Sequence, residues 1–148
     1  ATIPVSMEST LKNGISKPVA SFVIPLCATI HLSGSMIKLT LYAFAIVYMA
    51  NLDISTSTGL GFIFLLGIMM IAAPGVPGGA VMVAAGLLAD MMGFDDGMVA
   101  LMIAAYIAID SVGTAANVTG DGAIAMIVDK FAGSKKDHTE EESAEATA

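Results

Sequence analysis

Between residues 19 and 89 only Lys38 and Asp53 can carry a full charge at neutral pH. A stretch that long with two charges has too little polar surface to coat a water-soluble domain and too much apolar surface to stay disordered. The chain therefore reads as an all-α integral membrane protein. Its composition agrees: 56% of residues are hydrophobic and 13% are charged, where soluble domains carry about a quarter charged. The net charge of −7 owes much to the tail at 137–145, and all six basic residues are lysines. So little positive charge excludes a nucleic-acid partner. The single cysteine, Cys27, excludes an internal disulfide and a thiolate zinc cage. No nucleophile–base pair, phosphate loop or catalytic metal spacing is present, so an enzyme is not expected. No basic n-region precedes an apolar core, so no signal peptide is expected, and Ala1 reads as a start within something longer.

Residues 1–17 are mildly polar, with Pro4, Asn13, Gly14 and Pro18 as punctuation and a short amphipathic helix over 5–11. The apolar stretch 19–51 would be about 50 Å long as a straight helix, against a hydrocarbon core of about 30 Å. It must break or tilt, and His31-Leu32-Ser33-Gly34-Ser35 is where unwinding costs least. Residues 51–58 form a polar loop. The uncharged run 59–89 is split by Pro74-Gly75-Val76-Pro77-Gly78-Gly79, which no regular helix accommodates. Its arms, 60–73 and 80–92, have the length of re-entrant segments, so a hairpin entering and leaving on one side fits best; one kinked spanning helix is the alternative. After a polar turn at 90–97, residues 97–131 are expected as the last transmembrane helix, and 132–148 as a disordered tail. Lys130, Lys135 and Lys136 place that tail in the cytoplasm.

The chemistry would sit on the polar groups within the apolar segments. At 100° per residue, Asp110, Thr114, Asn117 and Asp121 fall at about 0°, 40°, −20° and 20°, one stripe with Gly113 beside it. A carboxylate at membrane depth costs a few kcal/mol, so two on one face imply a site for a cation or a substrate ammonium; pairing with buried donors, or a place near the ends, is the structural alternative. Asp121 and Asn117 offer hard oxygens suited to an alkali cation, and unwound backbone at 31–35 and 74–79 would add carbonyls. Paired interruptions of this kind mark transporter binding sites. Lys38 either serves this site or snorkels to an interface. His31 is a proton carrier, a packing residue or a backbone ligand. Cys27, the eleven methionines, Phe62 and Phe64 read as packing.

These features, in this order, resemble the C-terminal transport core of the dicarboxylate/amino acid:cation symporters, the glutamate-transporter family. Ala28-Thr29-Ile30-His31-Leu32-Ser33-Gly34-Ser35 is similar to the family's A-T-I-N-M-D-G-T in its unwound seventh helix. Pro74-Gly75-Val76-Pro77-Gly78-Gly79-Ala80 resembles the A-G-V-P-G-A-G tip of its second re-entrant hairpin. Asn117-Val118-Thr119-Gly120-Asp121 resembles the eighth helix, matching N-V-T-G-D unchanged. Thr2-Ile3-Pro4-Val5-Ser6-Met7 is similar to the descending arm of the first hairpin. The resemblance divides the chain into 1–17, the end of the first hairpin and its connector; 18–58, the unwound helix and loop; 59–96, the second hairpin and turn; 97–131, the last helix; and 132–148, the tail.

The resemblance implies a fragment whose N-terminal half lies upstream, in a homotrimer of the plasma (inner) membrane that works as an elevator gated by the second hairpin. It implies Asp110 as the group that holds a substrate ammonium, Thr114 and Asn117 as further substrate contacts, and Ser35 and the Val76 backbone touching the same solute. It also implies sodium ligands: Asn117 and Asp121 with carbonyls of Cys27 and His31 at one site, and Thr29 with the backbone of Met70, Ile71 and Ala73 at another. Three departures bear on specificity. Acidic-substrate members carry an arginine where this chain has Gly113, so the bidentate clamp for a side-chain carboxylate is missing and Lys38 compensates only as a point charge. His31 and Ser33 replace the family's asparagine and aspartate, which implies fewer sodium ions, or a proton or fixed charge in place of one. The expected function is symport of an amino acid, a neutral one favoured, coupled to sodium or another cation such as a proton, with a dicarboxylate second; a non-transporting subunit or degenerate paralogue and a simple channel are the rivals from other classes.

Overall fold

The structure, a computed structural model, describes residues 2–145, with side chains through Ala132. Among the described residues it is all helix and turn, with no strand: α1 (Ile3–Lys12), α2 (Lys17–Ile30), α3 (Ser33–Met49), α4 (Thr56–Met70), α5 (Gly79–Met92), α6 (Asp96–Ala108) and α7 (Asp110–Glu145). The tail expected to be disordered lies, past Ala132, outside the residues described with side chains. The chain divides into two compact units, Ala1–Ala28 with Val118–Ala148, and Thr29–Asn117.

In the first unit, Pro4 occupies the opening turn of α1, where its missing N–H costs nothing. α1 ends at Asn13 and the chain turns through Gly14 at φ 84°, a left-handed conformation that glycine adopts without a Cβ clash. The Asp129 carboxylate accepts from both the backbone N–H and the hydroxyl of Ser16, just before α2 begins. A small core joins Ile15, Ala20, Val23, Ile24, Cys27 and Ala125, with Ile3 and Met7 packed against it.

The second unit has the larger core. α3 packs against α4, α5 and α6, and α5 packs against α4 and α6. Leu39, Phe62, Leu66, Val81, Leu88, Met92, Met102 and Tyr106 are buried at its centre. α4 starts on Ser55, whose hydroxyl accepts from the Thr58 amide at 3.1 Å, and α6 starts on Asp95, whose carboxylate accepts from the Met98 amide at 2.8 Å. α4 and α5 fold back on one another, with Gly61 near the start of one beside Met91 near the end of the other. Their connection closes on itself: the Val76 amide donates to the Pro74 carbonyl and the Gly79 amide to the Val76 carbonyl, each at 2.9 Å. Gly78 turns at φ 74°, and any Cβ on Gly79 would collide with the Pro74 carbonyl. Antiparallel packing of the two arms is incompatible with one kinked spanning helix over 59–89.

Large apolar side chains stand exposed on every helix from α2 to α7, among them Phe22, Tyr48, Phe64, Met82, Leu101 and Ile127. Water does not tolerate so much apolar surface on a folded chain, whereas lipid or further protein does. Lys17–Met49 is long and apolar enough to cross a membrane, and α6 with the described part of α7 passes the same test as a bent pair; α4 and α5 are shorter apolar helices.

Two expectations are corrected here. Residues 97–131 are not one helix: α6 ends at Ala108, Ile109 leaves the helical region at φ −123° and ψ 31°, and the chain bends by 63°. The unwinding at 31–35 is narrower than expected, because only His31 and Leu32 are non-helical and Ser33 already opens α3. Both differences have the same kind of cause, a polar side chain from elsewhere in the unit that satisfies the backbone at the break.

Candidate functional site

The start of α3 is held by Asn117. An α-helix leaves its first N–H groups without intrahelical partners, and Leu32, at the cap position of α3, has no side-chain acceptor to offer. The Asn117 side-chain oxygen accepts the Gly34 amide at 2.8 Å and the Ser35 amide at 3.4 Å. Its Nδ2 donates to the Ser35 hydroxyl at 3.2 Å, and the Met36 amide reaches the Leu32 carbonyl at 2.9 Å. The helix can therefore begin one residue past the break. Ser35 and Asn117, two expected substrate contacts, are brought together and buried, but the Asn117 side-chain oxygen serves α3 rather than standing free for a cation.

Glycine makes this contact possible. A Cβ on Gly34 would lie 2.5 Å from the Gly113 carbonyl oxygen and 2.6 Å from Ala116 Cβ, so α3 and the start of α7 touch backbone to backbone. That closeness sets Asn117 against the first turn of α3.

One turn further along α3, Lys38 is buried, 7% exposed. Its ammonium donates to the Tyr106 carbonyl at 3.3 Å, the Ile109 carbonyl at 3.3 Å and Asp110 Oδ1 at 3.2 Å, and lies 3.5 Å from the centroid of the Tyr106 ring. Both carbonyls lie at the α6–α7 break, where the Ile109 carbonyl also accepts the Val112 amide at 3.2 Å, so Lys38 adds its bonds to the bend. The ammonium is turned inward to these partners rather than standing out from the helix surface. A buried ammonium is tolerable only when its donors are satisfied, and here three oxygens and a π face surround it. The pair with Asp110, whose side chain is 30% exposed, places a charge couple at a helix break within an apolar unit.

The remaining expected residues are placed as follows. Thr114 is exposed and its hydroxyl turns back to the Asp110 carbonyl at 3.2 Å. Gly113 is buried, and a Cβ there would stand 3.2 Å from the Lys38 ammonium. Val76 is exposed in the α4–α5 turn, while Met70, Ile71 and Ala73 mark the end of α4. Thr29 is exposed and His31 half-buried, flanking the end of α2. Cys27 and Asp121 are buried in the first unit. Among the described residues, no group of three or more His, Cys, Asp or Glu side chains is arranged to hold a metal ion.

Tyr106 is the neighbour of Lys38 that sequence reasoning missed. Its ring and carbonyl both serve Lys38, yet nothing in its local sequence sets it apart from a packing aromatic. A signal for the Lys38–Asp110 pair did exist: a lone lysine in one apolar segment and an aspartate in another have few other partners at membrane depth.

The described residues thus form helices with apolar surfaces, two breaks and a charge pair at one of them, with one helix, or two counting the bent pair, long and apolar enough to cross a membrane. The family model described as sodium:dicarboxylate symporter family matches residues 1–131. The chain belongs to that family, and is a membrane protein of a sodium-coupled symport class. No solved structure gives a significant match.

Proposed function

We propose that this chain is the substrate- and cation-binding core of a sodium-coupled symporter for a small carboxylate solute. The observation that carries the reading is the convergence, within residues 29–117, of the start of α3 and the α6–α7 break on Ser35, Lys38, Asp110 and Asn117. Helix ends and a charge couple at one place in an apolar unit supply what a polar solute needs on leaving water. Ser35, Asp110, Thr114, Asn117 and the Val76 backbone contact the solute, and Gly113 leaves room beside it. Asp121, Asn117 and the Cys27 and His31 carbonyls are sodium ligands on this reading, with Asn117 sharing the oxygen that caps α3, and so are Thr29 and the backbone of Met70, Ile71 and Ala73. A proton at His31 or the fixed charge of Lys38 stands in for one ion.

On this reading the α4–α5 hairpin is re-entrant and gates the site. The chain works within a trimer that moves as an elevator, and its C-terminus faces the cytoplasm. Asp110 without a neighbouring arginine favours a neutral amino acid. The dicarboxylate reading gains support from Lys38, which sets a point cation beside Asp110.

Calorimetric titration of the purified protein with a panel of amino acids and dicarboxylates, with and without sodium, tests the proposal. Binding that requires sodium supports it. Absence of binding under both conditions would favour a non-transporting subunit, and solute-independent sodium flux in vesicles a channel.

A further inference from the structure

The Lys38 ammonium has three protons and three oxygen partners, the carbonyls of Tyr106 and Ile109 and the Asp110 carboxylate. It lies against the bare face of Gly113, where a Cβ would stand 3.2 Å from Nζ and 3.3 Å from Cε. The two positions form one arrangement, since any side chain at 113 would press on the space that the lysine fills. Asp110 is nonetheless 30% exposed, so a solute can approach a carboxylate that already has an internal cation on one oxygen.

That geometry sets conditions on any solute ammonium directed at Asp110. It must sit beside Lys38 and bear the repulsion of a like charge at a few ångströms, or displace Lys38 and leave a buried ammonium with carbonyl partners only. A solute with a carboxylate but no ammonium meets neither penalty. Resting on the symporter reading above, we propose that Lys38 is a tethered occupant of the ammonium position at Asp110. It is thereby a specificity-determining residue that biases the protein toward small carboxylates lacking an α-ammonium group, and Gly113 is the cleared space that lets it do so.

The test is sodium-dependent binding of matched solutes to the protein in lipid nanodiscs. Succinate and aspartate differ by one ammonium group, as do propionate and alanine. The parent protein binds the member without the ammonium at least tenfold more tightly in each pair that binds. Lys38→Met removes the charge at similar length and shifts the ratio at least tenfold toward the amino member; Lys38→Arg keeps the parent ratio. Adding Asp110→Asn to Lys38→Met abolishes the gain. A parent that prefers the amino member overturns the proposal without any variant, so it stays refutable even where Lys38→Met fails to fold. Equal changes for both members in a folded Lys38→Met protein, the pattern of a purely structural lysine, overturn it as well. Absence of sodium-dependent binding of all four solutes to the parent overturns the symporter reading itself, and this proposal with it.

Discussion

The side-chain oxygen of Asn117 accepts the backbone amide of Gly34 at 2.8 Å, across 83 positions of sequence. A residue of α7 thus performs for α3 the capping that helices usually obtain from the residue just before their first turn. The start of α3 and Asn117 are consequently coupled, and a change in either reaches the other.

Asn117→Ala removes the acceptor for two amides and the donor to Ser35. It is expected to cost about 1–2 kcal/mol, the worth of a lost helix cap at a buried position. Denaturant unfolding in detergent measures it. Asn117→Asp, which keeps the acceptor and loses the donor, is expected to cost less; an equal loss for both would mean that the Nδ2 bond to Ser35 dominates.

Gly34→Ala places a methyl group against the Gly113 carbonyl and Ala116. Because both contacts lie on a neighbouring helix at 2.5 and 2.6 Å, α3 and α7 must separate, and overpacking of this kind costs about 1–3 kcal/mol. Gly86→Ala in α5 is the control, since a Cβ there meets nothing within 4 Å. It is expected to stabilise the helix by up to about 1 kcal/mol. Melting temperatures moving in opposite directions check the pair.

Asp110→Asn leaves the Lys38 ammonium with its two carbonyls and no anion. The pair is buried on the lysine side but partly exposed on the aspartate side, so the expected loss is about 2 kcal/mol, below the range for fully buried pairs. A double-mutant cycle with Lys38→Met isolates the coupling, which is expected to be about 1 kcal/mol or more. A coupling near zero would show that the two side chains are neighbours without consequence. On the proposed function, the single variant also loses binding of any solute that carries an ammonium group.

Asp121→Ala addresses the proposed sodium site. It is expected to raise the sodium concentration for half-maximal transport at least tenfold, with a smaller change in maximal rate. Transport in proteoliposomes over a sodium series gives both quantities. A fall in rate at unchanged sodium dependence removes Asp121 from the site.

The positions of the interruptions were legible in the sequence wherever local chemistry causes them. Pro74, Gly78 and Gly79 turn the chain between α4 and α5 because of what each lacks, a donor or a Cβ, and this follows from residue type alone. Asp110, Thr114, Asn117 and Asp121 all fall on α7, as the helical reading expects, although Thr114 is exposed there while Asn117 and Asp121 are buried. The bend at Ile109 was not legible, because no proline or glycine marks it. Its carbonyls at Tyr106 and Ile109 accept from a lysine some seventy positions earlier, and no local signal records those bonds.

The sequence by itself determined the environment and the element type. Charge-poor segments require lipid or protein around them, helices satisfy their backbone there, and proline–glycine clusters interrupt those helices wherever they occur. Tertiary structure alone decided what each isolated polar group does. Asn117 became a cap and Lys38 a counter-ion and staple because packing of α3, α6 and α7 brought them to backbone groups that their own helices leave unsatisfied. Inside an apolar unit every such group must find a partner, and only the folded arrangement settles which one.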